Sequence, residues 1–120
     1  MQYNFLKDGI SYTILIKNDD YQKKISFIVI NNNINNKYSL DLSLKDFFDK
    51  DEFFQRSNSL NEVFQLINIS FQRNQVFLEQ LDVSSIILGI QSEKSQNICF
   101  TLLQNYSNNY NILIQEKYYF

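Results

Sequence analysis

From Lys37 to Lys45 the chain alternates polar and apolar residues without a break. Lys37, Ser39, Asp41, Ser43 and Lys45 fall on one side, and Tyr38, Leu40, Leu42 and Leu44 on the other. That period of two belongs to a strand with one wet face, so the segment reads as an outer surface or a sheet edge. Ser59-Leu60-Asn61-Glu62 then has the form of a capping box, with the N-cap hydroxyl and the N3 carboxylate satisfying each other's backbone N–H. Behind it Leu60, Val63, Phe64, Ile67 and Phe71 recur at spacings of three and four, which predicts an amphipathic helix over 60–74. Leu66 and Ile69 widen its apolar stripe. From Val76 onward the period returns to two.

The same reading predicts strands over 11–17 and 24–31 before this unit, with Asn18-Asp19-Asp20 turning the chain between them. It predicts strands over 75–81, 84–90, 97–104 and 111–117 after it. Ser84–Ile90 and Asn97–Gln104 are apolar on both faces, as central strands are. Ser43-Leu44-Lys45-Asp46 can also cap a short helical turn through Phe47-Phe48, and Phe53-Phe54 returns to the core. At 120 residues and 44% hydrophobic content, a single domain can close a core without disulfide or metal staples. The expected fold is α+β: a mostly antiparallel β-sandwich or open barrel, with one main helix inserted after the third strand.

Composition excludes more chemistry than it supplies. With no histidine, Ser/His/Asp and Cys/His nucleophilic sites and His-bearing metal sites cannot be built from this chain. The two glycines, Gly9 and Gly89, form no phosphate-binding loop. Cys99 is the single cysteine and stands among Ile98, Phe100 and Leu102, so it reads as a buried structural thiol in a reducing compartment. Asp46, Asp49, Asp51 and Glu52 lack the spacing of a calcium loop, and Lys45 and Lys50 interrupt them; they read as a solvated connection. No catalytic, cofactor-binding or metal-binding residue is assigned, and the chain is not expected to be an enzyme. A net charge of −2 supplies no basic field, which disfavours nucleic acid as a partner. No signal peptide or membrane-spanning run is read, so the expected setting is intracellular, cytoplasmic or cytoskeletal, with the nucleus second. Asn68-Ile69-Ser70 and Asn105-Tyr106-Ser107 match the glycosylation sequon by chance in an Asn-rich chain.

The C-terminal end carries the aromatic residues that a contact surface would use. Ile112 and Ile114 lie on the expected last strand, and Tyr118, Tyr119 and Phe120 follow it. These five residues are the expected partner-binding set, acting by aromatic anchoring or edge-strand addition to a protein partner or a further copy of the chain.

Tyr38-Ser39-Leu40-Asp41-Leu42-Ser43 leading into Lys45-Asp46-Phe47 resembles the head domain of the superfamily shared by end-joining scaffolds and the centriolar cartwheel protein. The helix Ser59 to Phe71 and the runs Ser85-Ile86-Ile87-Leu88 and Ile98-Cys99-Phe100-Thr101-Leu102 complete the likeness, which covers about two-thirds of the chain. It rests on hydrophobic pattern rather than identities. It implies a sandwich with a helical insertion and a non-catalytic, structural role in a protein assembly, centriolar or ciliary among the settings. Those heads run into a long dimerising coiled coil, whereas this sequence extends only to Phe120. The competing arrangement is an oligonucleotide-binding barrel serving a single-strand-DNA or telomere-associated complex, which also runs strands, a helix, then strands. Such a barrel wants basic and aromatic residues together on its ligand face, and these are scarce here.

Overall fold

Asp8 and Gly9 both adopt positive φ, 54° and 78°, which is the geometry of a two-residue type I′ hairpin turn. That turn joins a strand absent from the sequence expectations, β1 (Gln2–Lys7), to β2 (Ile10–Asp19), with Lys7 opposite Ile10. The computed structural model describes residues 1–92 and 96–104; the expected strand over 111–117 and the five C-terminal contact residues lie outside them. β3 (Lys24–Asn31) and β4 (Asn36–Leu42) continue the meander. A short helix α1 (Leu44–Lys50), a 3₁₀ turn (Glu52–Phe54) and the main helix α2 (Leu60–Gln72) follow. β5 (Val76–Asp82), β6 (Ser85–Gln91) and β7 (Asn97–Gln104) complete the described chain.

The strands form one seven-stranded antiparallel sheet in the order β1-β2-β3-β4-β7-β6-β5, curled into a half-barrel with the helices. This bears out the mostly antiparallel open-barrel expectation and corrects one detail. The helical insertion follows the fourth strand, because β1 adds a strand at the start. Neither the strand count nor the sequential order is that of the five-stranded Greek-key oligonucleotide-binding barrel.

Lys37–Lys45 is also shorter as a strand than its alternation implies. Ser43 leaves the ladder to become the N-cap of α1, its hydroxyl accepting from the Asp46 N–H while Asp46 accepts from the Ser43 N–H. Lys45 therefore sits on the helix, and β4 lies inside the sheet rather than at its edge. The edges are β1 and β5. At its other end, α2 stops in a Schellman turn: Asn74 takes φ 56°, the Gln75 N–H bonds the Ser70 carbonyl and the Asn74 N–H that of Phe71.

Side chains from the concave face of the sheet meet the helices. Ile14, Ile16, Ile25, Phe27, Val29, Ile86, Leu88, Ile90 and Leu102 are fully buried there, against Val63 and Ile67 of α2. Ile69 is left largely exposed, so the helix stripe is narrower than its sequence implies. The convex face behaves differently from the expectation for central strands. Cys99 lies on it and is half-buried rather than enclosed, and Leu103 is 62% exposed. Gly89 lies there as well, directly opposite Phe77, and any Cβ at Gly89 would run into the Phe77 ring.

Two outcomes test this packing. Val63→Asp or Ile67→Asp places an unpaired charge in a dry core, at several kcal/mol, and should abolish the cooperative melt seen by circular dichroism. Gly89→Ala should cost about 1–3 kcal/mol by displacing the Phe77 ring. Most of that loss should vanish in a Phe77→Ala background, as a double-mutant cycle in urea would measure.

Candidate functional site

Between β4 and β7 the sheet is barely joined. Among the described residues their ladder holds only the pairs Tyr38–Gln104 and Ser39–Leu103. Beyond Ser39 the two strands part, and the insertion fills the opening with aromatic rings. Phe47 of α1 stands 5.0 Å from Phe54 of the 3₁₀ turn, 6.1 Å from Phe27 on β3 and 5.9 Å from Phe100 on β7. Phe27 and Phe100 are themselves 5.1 Å apart. All four rings are essentially without exposure, and the edge-on angles of three of the contacts suit aromatic quadrupoles. Lys50 lies 5.6 Å over the Phe100 ring. On the other side of the narrow ladder, the buried Tyr38 phenol donates to the Val83 carbonyl at 2.9 Å and accepts from Gln80 Nε2 at 3.0 Å. Tyr38 thus fastens β4 to the β5–β6 turn.

The free edges are also tied together. Lys7 at the end of β1 donates to the Leu78 carbonyl of β5, reaching one edge from the other. Tyr3 stacks on Phe71 at 4.5 Å and donates to Asn68 Oδ1 at 2.5 Å, which holds β1 to α2. Burial raises the Tyr3 phenol above its ordinary value, and burial is also the main cause of the rise at Tyr12. Both tyrosines therefore stay protonated and serve structure.

The acidic run resolves into helix caps and an ion pair. Asp46 completes the α1 capping box, Asp51 accepts from the Phe53 N–H, and Asp49 pairs with Lys45 at 3.3 Å on the open surface. The hydrogen bond from the Ser43 N–H is the main reason the Asp46 carboxyl sits below the usual carboxylate range. Asp82 is lowered in the same way, chiefly by Ser84, whose hydroxyl and N–H both donate to it in the β5–β6 turn. Among the described residues no group of three or more His, Cys, Asp or Glu side chains is gathered as a metal would require.

The surface formed by the described residues also has hollows. One, of about 330 Å³, lies beside the 3₁₀ turn between Phe53, Arg56, Ser92 and Gln96. Another, about 570 Å³ and open, is lined by Leu44, Leu60, Lys23 and Lys45 among others. The first is also lined by the carboxylates Asp51 and Glu52, and the second by Asp20 and the hydroxyls of Ser43 and Ser59. The sequence expectations missed the β4–β7 junction because it joins residues far apart in the chain. Its only local sign was the clustering of Phe47, Phe48, Phe53 and Phe54 in a segment otherwise polar.

The architecture is a seven-stranded half-barrel with a helical insertion seated in its concave side. The head domain of human CCDC61 shares it, at a TM-score of 0.63 over 88% of this chain and 95% of that one. Sequence identity is 10%, so the likeness is one of fold. No family model matches the sequence, and the comparison with curated proteins found no match. Among the described residues, no helix is long and apolar enough to cross a membrane.

The caps make a pH prediction. Because the folded-state pKa of Asp46 is lowered, its contribution is present above the unfolded carboxylate value and is lost as pH falls through the folded one. Asp46→Asn should therefore cost a few tenths, roughly 0.5 kcal/mol, at neutral pH, and parent and variant should converge in acid. Ser43→Ala should cost about 1 kcal/mol. Urea melts across the acid range would measure both.

Proposed function

We propose that this chain is a non-catalytic head module that joins other proteins into a structural assembly, with the centriolar or ciliary cytoskeleton as its setting. The observation that carries the reading is the shared fold with the CCDC61 head domain over nearly the whole of both chains. The sequence resemblance to the centriolar cartwheel superfamily points the same way. The chemistry of several described residues supports it: Asp46 and Asp51 serve caps, Tyr38 ties β4 to the β5–β6 turn, and Lys7 at the β1 edge reaches β5. A rigid scaffold with its polar groups spent on its own architecture suits presentation of a surface rather than turnover of a substrate. The net charge of −2 favours a protein partner over a nucleic acid.

The test pairs location with association. Tagged at its native level, the chain should concentrate at centrioles or basal bodies and migrate in native extracts as part of a complex well above its own mass. A labelled single-stranded oligonucleotide titrated at low salt should leave it unbound. A free monomer spread through the cell would overturn the reading. Oligonucleotide binding that falls steeply with added salt would replace it with a single-strand-binding role.

A further inference from the structure

The β2–β3 turn, the start of α1 and the start of α2 meet around the open hollow of about 570 Å³. Ser43 and Ser59 cap the two helices, so the leucines that line the hollow, Leu44 and Leu60, are each the first residue of a helix. Both pack against the core on one side and stay partly exposed on the other. Lys23 from the turn and Lys45 from α1 line the same hollow and are exposed. The nearby acids are drawn elsewhere: Asp46 accepts from the Ser43 N–H at 2.9 Å, and Glu62 accepts from the Asn58 N–H. Asp49 meets Lys45 at 3.3 Å, but on side chains 65% and 85% exposed such a pair contributes little. Among the described lining residues two lysines therefore face one carboxylate, Asp20, in a chain whose overall charge is −2. On the same turn, between Asp20 and Lys23, Tyr21 is 95% exposed, although its N–H is held by the Asp19 carboxylate at 3.1 Å. The backbone there is fixed while a large amphipathic ring stands in water, which is the form of an interface anchor.

The volume is within the ~300–1,000 Å³ of ligand sites, and the openness suits a chain passing over the hollow rather than an enclosed small molecule. An inorganic anion would leave the two leucines unused. A wholly apolar segment would leave the two lysines without a counter-charge. We propose that this hollow docks an acidic segment of another protein, with an apolar side chain against Leu44 and Leu60 and flanking carboxylates at Lys23 and Lys45, while Tyr21 packs alongside. The inference deepens the assembly reading and rests on it for the partner being a protein.

The probe is a labelled peptide with a leucine–phenylalanine pair between glutamates, titrated against the full chain by fluorescence anisotropy. It should bind saturably, more weakly as salt is added, and should shift the amide resonances of Leu44, Lys45 and Leu60. Lys23 takes positive φ, 56°, which asparagine tolerates, so Lys23→Asn removes the charge without straining the turn. Combined with Lys45→Gln it should weaken binding at least ~10-fold and leave the cooperative melt in place. Replacing the apolar pair of the peptide by serines should weaken binding to the parent by a similar factor. No saturable binding below about 1 mM would overturn the proposal, as would resonance shifts confined to another surface. Equal binding of the serine peptide would also overturn it, because charge alone would then suffice. If the double variant instead turned an oligomer into monomers in sedimentation, a second copy would occupy the hollow and the proposal would fall. A chain that ignores the peptide yet migrates in its native complex loses this surface and keeps the assembly role. A parent that is a free monomer loses the role, and the peptide then decides the surface alone.

Discussion

The architecture depends on the four phenylalanines packed where the sheet comes apart. With only two residue pairs joining β4 to β7 among the described residues, hydrogen bonding alone would leave two leaves, β1–β4 and β5–β7, hinged at a narrow strip. Phe47 closes the hinge by touching Phe27 of one leaf and Phe100 of the other, and Phe54 backs it. Burying rings of this size is worth more than the few ladder bonds that the junction forgoes, since a net backbone hydrogen bond contributes about 1 kcal/mol. The insertion between β4 and β5 is therefore structural in the strict sense: it is the wedge that turns two leaves into one half-barrel.

Where the code was local, the fold was legible. Alternation located β2, β3, β5, β6 and β7, and Ser59 placed the start of α2. Only half of the expected box forms there: the Ser59 hydroxyl accepts from the Glu62 N–H, while the Glu62 carboxylate accepts from the N–H of Asn58 instead of that of Ser59. Ser43 shows how two local rules compete. Its place in a perfect alternation argued for strand, while its spacing to Asp46 argued for a cap, and the cap prevailed because it satisfies two backbone N–H groups at once. β1 carries a plain hairpin signal in Asp8-Gly9 and alternates Tyr3 and Phe5 with Gln2, Asn4 and Leu6.

What the sequence could not display is distance. Nothing near Tyr38 announces that its hydroxyl ends on Val83, and nothing near Lys7 announces Leu78. Alternation cannot say which side of a strand will be covered. β7 is rich in apolar residues, yet only Ile98, Phe100 and Leu102 point into the core, and Cys99, which alternates with them, faces outward in register with Gly89 and Phe77. The five expected contact residues, Ile112, Ile114, Tyr118, Tyr119 and Phe120, lie outside the described residues.

The pairing pattern also fixes an order of events in time. Strands β1 to β4 meet as successive hairpins, each closing a short loop, and β5 to β7 do the same. Among the described strand pairings, only the β4–β7 junction joins residues far apart in the chain, and it must bring the whole insertion with it. Loop closure of that length carries its entropy cost before any contact offsets it. The two leaves should therefore form first, and their meeting across Phe47 should be the slow step. A cell making this chain faces a brief interval in which two half-formed sheets, each with an open apolar face, wait for one aromatic wedge.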